Sequence, residues 1–229
     1  MFVDPSGKGK DQTAISCVKM LNGNLYVTEC LGLSGGYTDP VLLKISRLAK
    51  ENNINTILIE QNFGGGMFAE LLKPFISRIH PCQIEDIRNN KTKELRIIDT
   101  LEPVMNSHRL IIDRKVIEKD FRSNPQETPE RRLKLQLVYQ LSRISRHRGS
   151  LVHDDLVDSL AGAVAYWTDY MAQNEDLNMA RRQDELLSIH TDNWNSLFNN
   201  TISQSAMGMN SQQIRNSNVS TDGFISDAY

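Results

Sequence analysis

The chain has 229 residues, of which 39% are apolar and 24% charged, with a formal charge of −2; no apolar run approaches the ~20 residues of a membrane span. The N-terminus lacks the basic start and apolar stretch of a signal peptide. Cys17, Cys30 and Cys82 are far apart and odd in number, which argues against a disulfide framework or zinc site and fits a reducing, intracellular setting.

Met1 to Asp4 reads as a short strand. After the turn "PSGKGK", Thr13 to Met20 reads as a second strand, Asn22-Gly23-Asn24 as a tight turn, and Leu25 to Leu33 as the antiparallel partner. Asp39-Pro40 opens a helix with Val41, Leu42, Ile45, Leu48 and Ala49 at helical spacing, ended by Asn52-Asn53. "TILIEQN" (Thr56 to Asn62) is a strand ending on Glu60, followed by Gly64-Gly65-Gly66 and a helix through Phe68, Leu71, Leu72, Phe75 and Ile76. Residues 82–87 form another strand, 92–106 a helix and Arg109 to Asp113 a strand. A polar link from Ser123 to Pro129 leads to a basic helix with Leu133, Leu137, Leu141 and Ile144 on one stripe. "GSLVHDDLVDSLAGAVAYW" closes the folded part as a helix starting near Asp154. An antiparallel meander followed by alternating helices and strands predicts an α/β fold with crossover connections.

Composition changes after about Gln173, where Asn, Ser and Gln dominate. The expected division is a folded domain over residues 1–172 and a polar tail over 173–229, partly helical (a short helix near Leu177 to Leu197) with the remainder disordered or ordered only on a partner. Charge is unevenly spread. From Arg131 to Arg148 there are six basic residues and no acidic one, and Arg88, Lys91, Lys93 and Arg96 form a second group. Such tracks attract phosphates even in a protein of near-zero net charge.

Three carboxyl positions are tied to the ends of elements: Asp4 ends the first strand, Glu60 ends the strand after the first helix, and Asp155 and Asp158 open the last core helix. On a helical wheel Asp155, Asp158, Gly162 and Ala165 share one stripe. Asp158 thus lies among the smallest side chains, which lets the helix approach a sheet while carrying a carboxylate inward. Helix capping and dipole complementarity explain Asp154 and Asp155 equally well, but not Asp158 in the second turn. Converging carboxylates without cysteine favour hard cations, Mg²⁺ or Mn²⁺. A pair of them about 4 Å apart supports phosphodiester hydrolysis. No Ser or Cys has the setting of a nucleophile, and His80, His108, His147 and His190 suggest no triad; His153 is a helix-start histidine beside the acidic pair.

"VDPSGKGKDQT", "ILIEQNFGGG" and "HDDLVDSLAGA", with the intervening "NKTKELRIIDTLEPVMNSHRLII", resemble the C-terminal nuclease domain of the large terminase subunit, the DNA-packaging motor of tailed phages. The resemblance covers about residues 1–170. It implies an RNase H-like (RNase H/RuvC/integrase) α/β fold: a mixed sheet with antiparallel leading strands, flanked by helices. The implied activity is endonucleolytic cutting of concatemeric viral double-stranded DNA during genome packaging, with two Mg²⁺ or Mn²⁺ ions. Asp4 carries over as the first catalytic carboxylate and Glu60 as the second. The third falls on Asp155 or Asp158, with Asp158 favoured by the wheel. Asp11 matches an additional acidic position of the first motif. Lys8, Lys10, Lys91, Lys93, Arg96, Arg143, Arg146 and Arg148 are candidate phosphate contacts, which confer salt-dependent affinity without base specificity. Gly64 to Gly66 is a weak phosphate-nest candidate.

By the same resemblance the partners are an ATPase motor domain, the portal and the small terminase subunit. The location is the host cytoplasm, transiently at the procapsid, with no membrane. No G-x-x-x-x-G-K-[ST] sequence occurs, and "GKGKDQT" fails its spacing. With three residues before Asp4, a fragment or split-gene product holding the nuclease without the motor is expected. Rival readings are a RuvC-like resolvase or transposase nuclease, an actin/sugar-kinase-like phosphotransferase, and a silent DNA-binding or portal-docking module. About 170 ordered residues are too few for the kinase-like fold, and retained carboxylates that repel DNA argue against a silent module.

Overall fold

The computed structural model describes residues 1–7, 12–61, 66–88 and 92–217, by backbone alone at 178 and from 192 onward. Two compact units result, Met1–Met171 and Ala172–Tyr229. The first is built on a six-stranded sheet.

β1 (Phe2–Asp4), β2 (Thr13–Leu21) and β3 (Asn24–Leu33) form the antiparallel meander. The β2–β3 turn places Asn22 at φ 51° and Gly23 at φ 76°, the paired left-handed conformations of a type I′ hairpin, which an Asn-Gly pair adopts cheaply. After α1 (Asp39–Glu51), β4 (Thr56–Glu60) returns parallel to β1. α2 (Met67–Ile79) then leads to β5 (Gln83–Ile87), parallel to β4. α3 (Lys93–Asn106) crosses to the far edge, where β6 (Leu110–Ile112) pairs parallel with β3. The order is β5-β4-β1-β2-β3-β6. β1 is therefore interior, and all three of its residues are buried.

Strand alternation divides the core between the two faces. Val3, Ile15, Cys17, Ile57 and Ile59 pack with Val41, Leu42, Ile45, Leu48 of α1 and Phe68, Leu72, Ile76 of α2. Phe2, Ala14 and Leu58 belong to the opposite cluster, with Ile97 and Leu101 of α3 and Leu156, Leu160 and Val164 of α7 (Asp155–Ser217). The stripe read from α1 is the one it buries. Each such side chain contributes about 1.5–3 kcal/mol through apolar area removed from water.

Three elements depart from the sequence reading. A helix, α4 (Arg114–Arg122), follows β6, started by the Asp113 carboxylate accepting from Lys115 N–H. The expected single basic helix is two, α5 (Pro129–Lys134) and α6 (Leu137–Arg143). Its break has a tertiary cause. Buried Asp120 of α4 accepts hydrogen bonds from Leu137 N–H at 2.8 Å and Val138 N–H at 3.2 Å, capping a new helix start. The Leu133, Leu137, Leu141, Ile144 stripe is accordingly not one buried face: Leu137 is buried and Leu133 exposed. Finally, α7 runs as helix to Ser217, longer than the short helix expected near Leu177 to Leu197. The stretch holds no proline, and its Ala, Gln, Glu, Leu, Met and Arg residues are good helix formers.

Candidate metal centre

The parallel pairing of β1 and β4 decides where the first two carboxylates lie. Val3 is in register with Ile59, so Asp4 and Glu60, each the last residue of its strand, emerge side by side at the same end of the sheet. The third comes from α7. Gly162 allows that helix to lie directly on β1: a Cβ there would stand 2.4 Å from the Phe2 ring. The helix is tied down further by Ser159 Oγ donating to Phe2 O at 3.5 Å and Trp167 Nε1 donating to Val18 O at 2.9 Å. One turn before Gly162, Asp158 is thereby carried over the strand ends. An oxygen from each of Asp4, Glu60 and Asp158 lies within 4.8 Å of the others.

These acids are 9%, 3% and 1% exposed respectively. Carboxylates are almost never buried to that degree unless paired or coordinating a cation. Burial, then the charges of Glu60 and Asp158, push Asp4 up to about 7, with Asp155 adding and Lys93 opposing. Burial pushes Asp158 up to about 6 against the pull of Lys93 and Arg96. Both cations come from the first turns of α3. Lys93 Nζ is 2.9 Å from Asp154 Oδ1 and 3.2 Å from Asp158 Oδ2. Arg96 Nη2 is 2.6 Å from Asp158 Oδ1 and 3.5 Å from Glu60 Oε1. Burial alone would lower the lysine; Asp158, Asp154 and Asp4 outweigh it and hold its ammonium above the usual range. Among the described residues, Asp4, Glu60, Asp154, Asp155 and Asp158 still outnumber Lys93 and Arg96 by five to two. That surplus, in a site short of water, suits a small multivalent cation. An octahedral Mg²⁺ with oxygens at about 2.1 Å sets its ligand atoms roughly 3–4.2 Å apart. The trio is close to that spacing and within reach of an ion pair about 4 Å apart.

Of the site residues expected from sequence, Asp4, Glu60 and Asp158 are brought together. Asp155 is half-buried outside the trio, near enough to raise Asp4. Lys93 and Arg96, expected to face phosphates, are engaged with these carboxylates. Arg143 lies over the Tyr139 ring at 5.9 Å, Arg146 pairs with Asp99 at 3.1 Å and Glu102 at 3.0 Å, and Arg148 is exposed. Asp11, Lys8, Lys10, Lys91, Gly64 and Gly65 lie outside the described residues. His80 holds the Ile54 carbonyl at 2.9 Å and is structural. Burial lifts the Cys17 and Cys30 thiols to about 12, leaving them neutral. The sequence reading missed the role of Asp154 as partner of Lys93. Its only signal was the charge opposition of two distant segments.

Residues 3–110 match the family described as Terminase Bacteriophage T7, Ribonuclease H-like domain. The chain is also 35% identical, over 187 residues, to the terminase large subunit of Enterobacteria phage T3. Residues 3–110 thus belong to the terminase ribonuclease H-like domain family. The fold is accordingly RNase H-like, a mixed sheet with an antiparallel meander and parallel strands, flanked by helices. The family match takes in Asp4 and Glu60, while Asp155 and Asp158 lie beyond it. The alignment to the T3 terminase covers 82% of this chain and 31% of the relative, so the chain spans about a third of that protein's length. Among solved structures, a mutant nuclease domain of the large terminase subunit gp2 of bacterial virus Sf6, with manganese and β-thujaplicinol, is similar at 14% identity and TM-score 0.45. The match covers 71% of this chain and 86% of that one, and a calcium-containing structure of the same subunit gives the same values.

Proposed function

We propose that residues 1–172 are the nuclease domain of a phage terminase large subunit, cutting concatemeric double-stranded DNA during genome packaging. The observation that carries this reading is the convergence of buried Asp4, Glu60 and Asp158 at one end of the sheet. The relationship to the T3 large subunit supports it. Asp4, Glu60 and Asp158 would hold Mg²⁺ or Mn²⁺, two ions in the working site, with Asp155 adding negative charge at its margin; Asp11 is proposed as a further acidic residue of the first motif by the resemblance alone. Such ions supply activation of water and charge compensation at the leaving oxygen of a phosphodiester.

The chain's own residues provide the rest. Rigid strand ends and a helix locked on Phe2 fix the carboxylates, so no reorganisation is needed as charge develops. Arg143, Arg146 and Arg148, together with Lys8, Lys10 and Lys91, are proposed as contacts to the DNA backbone. Arg146's pairs with Asp99 and Glu102 are solvent-exposed, and exposed pairs are weak enough for a phosphate to replace them. Contacts of this kind read no bases, so cleavage is without sequence preference. The motor ATPase, portal and small subunit are the proposed partners, and the host cytoplasm and procapsid the setting.

Supercoiled plasmid incubated with the chain and titrated with Mg²⁺ or Mn²⁺ tests the proposal. Nicking and linearisation are expected, abolished by chelator and by Asp4→Asn, Glu60→Gln or Asp158→Asn. Asp155→Asn is expected to retain partial activity. Metal-independent cutting, or full activity in Glu60→Gln, would refute it.

A further inference from the structure

The two cations beside the carboxylates are held differently. Lys93 has one partner outside the trio, Asp154 at 2.9 Å, so it keeps an anchor whatever occupies the site. Arg96 has both of its carboxylate partners inside, Asp158 at 2.6 Å and Glu60 at 3.5 Å. Both contacts run through a single nitrogen, Nη2, and its buried Nε has no hydrogen-bond partner among the described residues. A guanidinium that binds carboxylate strongly does so with two parallel N–H donors. Arg96 is gripped by one, on two of the three carboxylates a metal would need. A dication bound by these same two buried carboxylates would meet the guanidinium's like charge close by, in surroundings that screen it weakly.

We propose that Arg96 is a resident counter-ion of the carboxylate trio, which a divalent cation must displace in order to bind. This inference rests on the metal-binding reading of the trio. In it, Arg96 keeps buried Glu60 and Asp158 from repelling one another before the cation arrives, and sets the threshold concentration at which it does. Lys93 stays on Asp154 throughout.

Calorimetric titration of the metal-free chain with Mn²⁺ tests it, comparing the parent with Arg96→Gln, Arg96→Lys, Lys93→Gln and Asp4→Asn. Removing a charge-assisted contact that competes for the same carboxylates is expected to tighten Mn²⁺ binding by about tenfold in Arg96→Gln. The same variant is expected to unfold at lower denaturant without metal. Arg96→Lys, which keeps the charge, and Lys93→Gln should shift affinity less. Asp4→Asn should weaken it. Unchanged or weaker binding in Arg96→Gln, beside weakened binding in Asp4→Asn, overturns the counter-ion role and leaves the metal site standing. No Mn²⁺ binding by the parent overturns both. If Arg96→Gln fails to fold, the Arg96 guanidinium ¹⁵N resonance of the parent decides, with Arg96→Lys supplying its assignment. A shift on adding Mg²⁺ supports displacement, and an unmoved resonance alongside measured Mg²⁺ binding overturns it.

Discussion

Replacing Asp4 by Asn removes the carboxylate that the fold tolerates least. In the folded chain Asp4 gives up its proton at about 7 instead of 3.8, because it is buried and faces Glu60 and Asp158. A difference of about 3 pH units corresponds to roughly 4 kcal/mol between the protonated and ionised forms. The sign follows from proton binding. Between pH 3.8 and 7 the folded state holds a proton that the unfolded state has released, so stability is greatest below 3.8 and is lost as pH rises through 7. An Asn side chain carries no charge to desolvate, but leaves amide groups imperfectly paired, at about 1–3 kcal/mol. The balance predicts that Asp4→Asn is more stable than the parent by roughly 1–3 kcal/mol at pH 8 in chelator, and equal or less stable at pH 4. Urea unfolding followed by circular dichroism at both pH values measures it. Mn²⁺ at 100 times its Kd should then stabilise the parent by about 2.7 kcal/mol and the variant by much less, closing the gap. If Asp4→Asn is the less stable protein at pH 8 in chelator, and the parent shows no decline between pH 4 and 8, the ionised carboxylate carries no folding penalty and the reasoning fails.

Gly162→Ala should destabilise the domain by about 1–3 kcal/mol and lower metal affinity, since the added methyl meets the Phe2 ring at 2.4 Å and lifts α7, with Asp158, off the strand; urea unfolding and Mn²⁺ calorimetry report the two effects. Asp120→Ala should cost about 1–3 kcal/mol by leaving the buried Leu137 N–H and the part-buried Val138 N–H at the start of α6 without their acceptor, and amide exchange at Leu137 and Val138 should rise with it. Trp167→Phe removes the bond to the Val18 carbonyl and should cost about 1 kcal/mol in the same unfolding assay, with metal binding intact.

The leading meander, α1 and the strand ending at Glu60 were legible because their signals are local: Asn-Gly at a hairpin, an apolar stripe at helical spacing, alternation along strands. Asp4 and Glu60 were legible as strand-end carboxylates, and Asp158 by the small residues beside it on the wheel. The split of α5 from α6 was not, because a carboxylate from a different helix caps the break. Nor was the engagement of Lys93 and Arg96, which as isolated basic residues read as a phosphate track.

Chain order and residue type alone thus determined the alternation of elements and the three places where acids end or open them, since turn chemistry and periodicity act over a few residues. Tertiary structure decided which acids share a site. Parallel pairing of β1 with β4 put Asp4 next to Glu60, and the close approach of α7 through Gly162 selected Asp158 over Asp155 for the trio. It also decided the partners of the α3 cations, because charges separated by some sixty residues find each other only once the sheet and helices have packed.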